Sequence, residues 1–177
     1  MVKKLSKFLA YTLFFIFALM VFIPKSSLYF SLEEKIKTFD IVISNETLQE
    51  NVFSLNVKNL DISVKGIQSG VVHEADITLL LFYNSLKFEN IKLSSLVEAY
   101  LPSKIQELQV TYTVFNPFLV KLEAEGEFGD IEAEFDILER SLSVRLHPTN
   151  IMLKRYKKSI KMFKKSQEGD YVYAKSF

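Results

Sequence analysis

The feature that most constrains this chain is an uninterrupted apolar run near its amino terminus, from Phe8 to Ile23. Its only polar side chains are those of Tyr11 and Thr12, so a helix of this sequence is apolar on all sides, as a helix surrounded by lipid is. A helix of about 16 residues reaches about 24 Å, and flanking Leu5 and lysines extend it toward the roughly 30 Å of a bilayer core. The predicted anchor residues are Phe8, Leu9, Leu13, Phe14, Phe15, Ile16, Phe17, Leu19, Val21, Phe22 and Ile23.

A cleaved signal peptide and a buried helix of a soluble protein are the alternatives for this run. A signal peptide has an apolar region of about 7 to 15 residues and a small-x-small cleavage site, and the residues from Phe22 to Leu28 contain no such site. A buried helix does not need an apolar surface on every side. An uncleaved signal anchor is therefore favoured, with Lys3, Lys4 and Lys7 holding the amino terminus in the cytoplasm by the positive-inside rule.

This topology divides the chain into two parts and predicts where each lies. Residues 1–25 form a cytoplasmic tip and the transmembrane signal anchor, and residues 26–177 form an exported β-rich domain. We therefore predict a single-pass protein of a bacterial inner membrane, with its amino terminus cytoplasmic and its carboxyl-terminal domain periplasmic. The expected partners are the membrane, other envelope proteins and, as an alternative, a lipid. Nucleic acid is not an expected partner of an exported domain.

Composition and motifs argue against catalysis. The chain has no cysteine, which excludes disulfides and cysteine-zinc sites, and its 16 Phe and 8 Tyr argue against a disordered chain. His73 and His147 are the only histidines, and neither has the spacing of metal ligands. No nucleophile elbow, phosphate loop or zinc-protease motif is present. The sequence therefore predicts no catalytic residue, no metal site and no cofactor, and the protein is predicted not to be an enzyme.

Beyond Phe39, apolar and polar residues alternate, which is the period of a β-strand. The alternation shifts phase at Lys58-Asn59 and again at Asn90, and such a shift indicates a bulge or a tight turn between strands. A turn is predicted at Asn84-Ser85 and a hairpin across Gly129-Asp130. Strands spaced about ten residues apart favour an antiparallel sheet over alternating βαβ units.

Helical signals occur at three places in the exported part. Capping boxes predict short helices from Ser31 to Phe39 and from Ser95 to Pro102. From Met152 to Phe163, apolar residues recur at helical spacing among lysines, which predicts a basic helix. The predicted fold class is α+β and mainly β: an N-terminal transmembrane helix, a curved antiparallel β-meander with two short helices, and one basic C-terminal helix.

Three surfaces are candidates for binding. The strand from Val71 to Phe82 becomes apolar on both faces, and its candidate lipid or partner surface is Leu79, Leu80, Leu81 and Phe82. Acidic residues alternate from Glu123 to Asp136 and form either a solvated face, which we favour, or a cation or docking site. The basic helix contacts lipid headgroups or a partner, or packs on the sheet with its charges solvated, which we favour. Its candidate contact residues are Lys154, Arg155, Lys157, Lys158, Lys161, Lys164 and Lys165.

The order of these features resembles a known family. A short anchor precedes the helix pattern from Leu28 to Ile36, and the run Ala124–Asp136 precedes a strand from Leu142 to Pro148, a basic helix and the segment Gly169–Tyr173. This order is similar to that of the periplasmic accessory protein N of bacterial type II secretion (GspN) and of the wider AsmA-like group. The resemblance implies a periplasmic domain that assists an envelope assembly, and it implies no catalytic residues.

Two functions follow from these patterns. The leading hypothesis is a non-enzymatic, membrane-anchored accessory or scaffold protein of a bacterial envelope assembly such as a secretion system. The alternative is a lipid-binding or lipid-transfer module, in which an apolar groove on a curved β-sheet holds an acyl chain. The segment Leu79–Phe82 distinguishes the two, because a scaffold buries it and a carrier leaves it open to the ligand.

Overall fold

The chain begins with two helices, which Pro24 separates. In the computed structural model, which describes residues 2–98, 100–167 and 169–177, helix α1 is Val2–Phe22 and helix α2 is Lys25–Lys37. The stretch Lys4–Phe22 of α1 is long and apolar enough to cross a membrane, and the rest of the protein buries none of it. The predicted apolar helix is therefore confirmed, and α1 is a candidate membrane-spanning helix.

Beyond α2, the described residues form one open antiparallel sheet of eleven strands and a few short helices, which confirms the mainly β fold class. The strands are β1 (Ile41–Ser44), β2 (Thr47–Glu50), β3 (Ser54–Val64), β4 (Ile67–Leu79), β5 (Tyr83–Leu93), β6 (Lys104–Thr113), β7 (Leu119–Gly126), β8 (Gly129–Asp136), β9 (Ser141–Pro148), β10 (Lys164–Lys165) and β11 (Tyr171–Ser176). Their spatial order is β1-β3-β4-β5-β6-β7-β8-β9-β11-β10, and β2 shares the edge of β3 with β1. Within the described residues, the sheet ends at β1 and β2 on one side and at β10 on the other.

A kink runs across four neighbouring strands. In β3 to β6, two residues of the apolar face are three positions apart instead of two: Val57 and Leu60, Val72 and Ala75, Phe88 and Ile91, and Ile105 and Leu108. Asn59 and Asn90, between these positions, have left-handed φ angles of 57° and 54°, which asparagine tolerates better than most residues. The predicted phase shifts are confirmed, although Asn59 lies inside one strand and not between two.

Two of the predicted short helices differ from the structure. The capping box at Ser31 is wrong, because α2 already begins at Lys25 and the hydroxyl of Ser31 donates a hydrogen bond to Ser27 O inside the helix, at 2.9 Å. The helix predicted from Ser95 to Pro102 is also wrong, because the described residues of this segment form consecutive turns. Residue 99 of that segment lies outside the described part of the chain.

The basic carboxyl-terminal segment forms two short helices in place of the single helix predicted. They are α3 (Asn150–Arg155) and α4 (Lys157–Ile160). Tyr156 separates them, because its φ of −109° and ψ of 40° are not helical. Thr149 caps α3, and its Oγ1 accepts a hydrogen bond from Met152 N at 3.3 Å.

The turn between β4 and β5 lies at Leu80–Phe82, and the prediction of a turn at Asn84-Ser85 is wrong. Leu80 N donates a hydrogen bond to Tyr83 O at 3.0 Å across this turn, and Asn84 and Ser85 pair inside β5. The predicted hairpin of β7 and β8 is confirmed, but its turn lies at Glu127-Phe128, and Gly129 and Asp130 pair inside β8.

Apolar side chains on one face of the sheet form two clusters, one beneath each helical segment. Beneath α2, Tyr29 packs with a cluster that includes Leu55 and Val57, both fully buried. Beneath α3 and α4, Met152 packs with a cluster that includes Leu146 and Phe128. The helices therefore cover the two sides of the apolar face, and the strands between them are covered less.

Candidate functional site

An apolar cavity of about 340 Å³ lies between α2 and the strands β4 to β6. Leu28 and Leu32 are one turn apart on α2, and both line the cavity from the helix. The pairing of Leu86 with Val110 places these two side chains next to each other on the same face of the sheet. Further lining residues are Lys25, Tyr29, Ile77, Leu79, Asn84, Ser85 and Tyr112.

Hydrogen bonds from the first turn of α2 to β2 hold the helix wall of the cavity in place. The Glu50 carboxylate accepts one from Lys25 N at 3.1 Å and another from Ser26 Oγ at 2.7 Å. The bond from Ser26, followed by the bond from Lys25 N, lowers the pKa of the Glu50 carboxyl. The helix dipole also favours a carboxylate at this position. Glu50 of β2 therefore caps the amino-terminal end of α2.

Lys25 is the charged side chain in the cavity lining, and only 1% of it is exposed. Its Nζ donates a hydrogen bond to Ile23 O at 3.3 Å and lies 4.0 Å from Glu50 Oε1. An ammonium group has three donors, and these contacts are long for it. The Lys25 side chain is packed into the wall of the cavity, close to Glu50 and to the end of α1.

Tyr29 carries the second polar group of the helix wall. Its side chain is 6% exposed, and its hydroxyl has no hydrogen-bond partner among the described residues. Burial, and then the nearby Glu46 and Glu33, raise the pKa of the Tyr29 hydroxyl, which is therefore neutral. Tyr29 thus acts mainly as an apolar surface against the sheet.

The apolar face continues beyond the cavity as an uncovered strip across β6 to β9. Tyr112, Val120, Phe135 and Leu142 follow one another in register, and Val110 and Val144 lie on the same face. These side chains are only half-buried, and they belong to neither of the two clusters beneath the helices. We call the six residues Val110, Tyr112, Val120, Phe135, Leu142 and Val144 the apolar strip.

The structure separates the four residues of the predicted lipid or partner surface. Leu79 lines the cavity, as expected of a groove residue. Leu80 is half-buried in the turn that follows, and Leu81 and Phe82 are exposed at its tip. The Phe82 ring stacks on the Phe115 ring of the next hairpin tip at 6.2 Å between centroids. The strand does not carry Leu80–Phe82 across the sheet, so only Leu79 belongs to the cavity.

The candidate basic residues lie far from the cavity. They are all exposed: Lys154, Arg155, Lys157, Lys158, Lys161, Lys164 and Lys165. The segment that carries them follows Pro148, which pairs with Gly129 at the end of the sheet opposite the Leu80–Phe82 turn. Met152 of α3 points toward the sheet and is only 1% exposed. This burial supports the role in packing on the sheet that the sequence analysis favoured.

The acidic residues of β7 and β8 lie on the opposite face of the sheet from the cavity. Glu123 and Glu132 face each other in register and are exposed, and Lys121 forms an ion pair with Glu134 at 3.3 Å. The described residues contain no group of three or more His, Asp or Glu side chains that could hold a metal ion. This arrangement is that of a solvated outer face.

Sequence reasoning missed the wall that α2 contributes to the cavity. The capping box at Ser31 placed the predicted helix start after Lys25 and Leu28, although α2 begins at Lys25, soon after the apolar run ends. The bond between Glu50 and the start of α2 joins residues that are 24 and 25 positions apart, and no local pattern encodes it. The available signal was the i, i+4 pair Leu28 and Leu32.

Comparisons with known proteins add no assignment to this geometry. No family model matches the chain, and no curated protein and no solved structure matches it either.

Proposed function

We propose that this protein is a membrane-anchored lipid-binding module, in which the cavity beside α2 receives an acyl chain and the apolar strip extends the path of that chain. The observation that carries the proposal is the cavity itself: it holds about 340 Å³, is lined mostly by apolar side chains and lies next to an uncovered apolar strip. Ligand pockets typically have volumes of about 300–1,000 Å³. Apolar walls with few polar groups suit a ligand that is a hydrocarbon chain with one polar end.

The position of the cavity supports a lipid as the ligand. Leu28 and Leu32 of its helix wall follow α1 by about two turns of helix, so the cavity lies at the α1 end of the exported part. Lipids of the bilayer that surrounds α1 are then the nearest apolar ligands.

We propose the same placement that the sequence analysis predicts. The anchor stays uncleaved in a bacterial inner membrane, its amino terminus is cytoplasmic, and the sheet lies in the periplasm. Support comes from the apolar residues of α1, none of which the described chain buries, and from the lysines that precede them.

A scaffold function is the second candidate, and the open sheet favours it. The edge formed by β1 and β2 and the edge formed by β10 present backbone groups that no described strand pairs with. A partner strand can add to such an edge. This candidate agrees with the resemblance to GspN and the AsmA-like group, in which the domain assists a secretion system or a related envelope assembly.

Site-specific photocrosslinking in intact membranes tests the proposal. Tyr112 is replaced by p-benzoylphenylalanine, a photoreactive aromatic residue of similar shape, in the full chain. Tyr112 lines both the cavity and the apolar strip, so illumination should attach a phospholipid to it, which mass spectrometry detects. The matched control places the same residue at Gln109, which lies on the same strand and on the opposite face.

Each outcome of this experiment bears on one candidate. A lipid adduct at Tyr112 and none at Gln109 supports the lipid-binding module. An adduct to a protein at Tyr112, with no lipid, overturns it and favours the scaffold. Equal lipid labelling at Tyr112 and Gln109 also contradicts the proposal, because it would mean that the whole sheet contacts lipid without a specific face.

A further inference from the structure

One end of the sheet carries a set of exposed apolar hairpin tips, which we call the rim. It consists of the loops 51–53, 80–82, 114–118 and 137–140 and of Phe177. These loops lie at one end because Ser54 pairs with Thr78, Tyr83 with Thr113, Leu119 with Asp136 and Ser141 with Ser176. Hairpin loops are normally rich in polar turn residues, so a shared apolar character across four of them is unusual.

The apolar side chains of the rim are substantially exposed. Phe115 is 86% exposed and Leu138 is 72% exposed, the largest values in these loops. The other exposed apolar members are Val52, Phe53, Leu81, Phe82, Val114, Phe118, Ile137 and Phe177. Among the described residues of the four loops, only Glu139 and Arg140 are charged. Exposed apolar patches of this kind mark sites of interaction with another protein or with a membrane.

We propose that the rim inserts into the membrane interface beside α1, so that the sheet stands on the bilayer by its hairpin tips. This inference rests on the anchor of the proposed function, but it does not depend on lipid binding in the cavity. It assigns one occupant to the rim, the lipid of the bilayer that α1 spans.

The contact between the rim and α1 supports this occupant. The Phe53 ring lies 6.2 Å from the Phe17 ring of α1, measured between centroids, in an edge-to-face arrangement. Phe17 precedes the end of α1 at Phe22 by five residues, which correspond to roughly 7.5 Å along the helix axis. Phe53 therefore lies level with the apolar part of the anchor, at a depth typical of interfacial segments, about 5–10 Å.

The start of α2 fixes this arrangement on the other side of Pro24. Glu50, next to the loop 51–53, is hydrogen-bonded to Lys25 N and to Ser26 Oγ. The rim end of β2 and β3 is thus held three and four residues after Phe22, where α1 ends. The opposite end of the sheet carries the exposed basic residues of α3 and α4 and is turned away from this junction.

Fluorescence quenching by brominated lipids tests the proposal on the full chain. The protein contains no tryptophan, so one introduced tryptophan is an unambiguous reporter. Three single variants are reconstituted into phosphatidylcholine vesicles: Phe115→Trp in the rim, Phe14→Trp in the anchor and Ile67→Trp at the opposite end of the sheet. The acyl chains carry bromine near the headgroup or, in a second preparation used for Phe14→Trp, near the middle of the chain, because Phe14 lies about 12 Å along α1 from Phe22. Ile67 is the matched control, because it is also an exposed apolar residue beside a hairpin turn.

We expect Phe115→Trp to lose about half or more of its fluorescence, because interfacial segments lie within the reach of bromine near the headgroup. Phe14→Trp should also be quenched, and Ile67→Trp should keep its full signal.

Quenching of Phe14→Trp without quenching of Phe115→Trp overturns the rim proposal and leaves the anchor intact. No quenching of Phe14→Trp overturns the anchor itself, and equal quenching of Phe115→Trp and Ile67→Trp overturns the upright placement. The quenching test is independent of photocrosslinking at Tyr112, so its result neither supports nor contradicts lipid binding in the cavity.

Discussion

At the scale of single residues, Glu50 connects the start of α2 to the sheet. Its carboxylate accepts two hydrogen bonds from the start of α2, and these bonds lower its pKa. A carboxyl whose pKa is lower in the folded state stabilises the fold above its unfolded pKa. That contribution is lost as the pH falls through the folded pKa, when the carboxylate becomes protonated.

The substitution Glu50→Gln should therefore lower the thermal stability of the full chain at neutral pH and lose this effect in acid. The difference in melting temperature between wild type and Glu50→Gln should be constant above about pH 5 and shrink below it, because both proteins then carry a neutral group. Circular dichroism in detergent micelles at several pH values measures it. Glu34→Gln serves as the control, since the Glu34 side chain is exposed on α2. A difference that grows in acid would contradict this account of Glu50.

At the scale of elements, the β7–β8 hairpin depends on the backbone of Gly129. Its φ of 112° lies in a region that residues with a side chain rarely adopt, and a Cβ atom there would collide with His147 O of β9. Gly169 has a similar φ of 97°, but a Cβ atom there would meet nothing within 4 Å. The two glycines therefore separate backbone strain from steric collision with a neighbouring strand.

We expect Gly129→Ala to lower the free energy of unfolding by more than about 3 kcal/mol, because strain and displacement of β9 act together. Gly169→Ala should cost about 1–2 kcal/mol, from strain alone. Urea titrations of both full-length variants in the same detergent measure the two values. Similar losses for both variants would mean that β9 yields to the added methyl group without cost.

At the scale of the whole molecule, the anchor, the cavity and the rim lie at one end of the sheet. The basic segment lies at the other end, and the acidic residues of β7 and β8 lie on the face turned away from the cavity. Under the rim proposal, the first of these ends faces the membrane and the other faces solvent. The proposed placement puts the amino terminus in the cytoplasm and the sheet in the periplasm.

Fusion of a reporter after Phe177 checks this topology. Alkaline phosphatase, which is active only after export, should be active there, and green fluorescent protein at the same position should not fluoresce. The lysines before the apolar run predict this orientation by the positive-inside rule. The full-length protein should also resist carbonate extraction. A shorter form released into the soluble fraction would contradict the uncleaved anchor.

The sequence by itself determined the properties that depend on neighbours along the chain. The apolar run defined α1, the period of two defined the strands, and the phase shifts at Asn59 and Asn90 marked the kink. These features are local, because the face that a side chain takes follows from the spacing of residues within one element. The errors were also local: a capping box at Ser31 competed with a helix start that a distant carboxylate fixes.

Only the tertiary structure decided which apolar faces are covered. The alternation in β6 to β9 makes Val110 and Val144 apolar-face residues, but it does not say whether a helix lies above them. That depends on the positions of α2 and of α3 with α4, which distant pairings set. The rim likewise exists because four separate hairpin turns lie at the same end of the strands. Burial is a property of the whole packing, so the cavity and the rim could not be derived from any one segment.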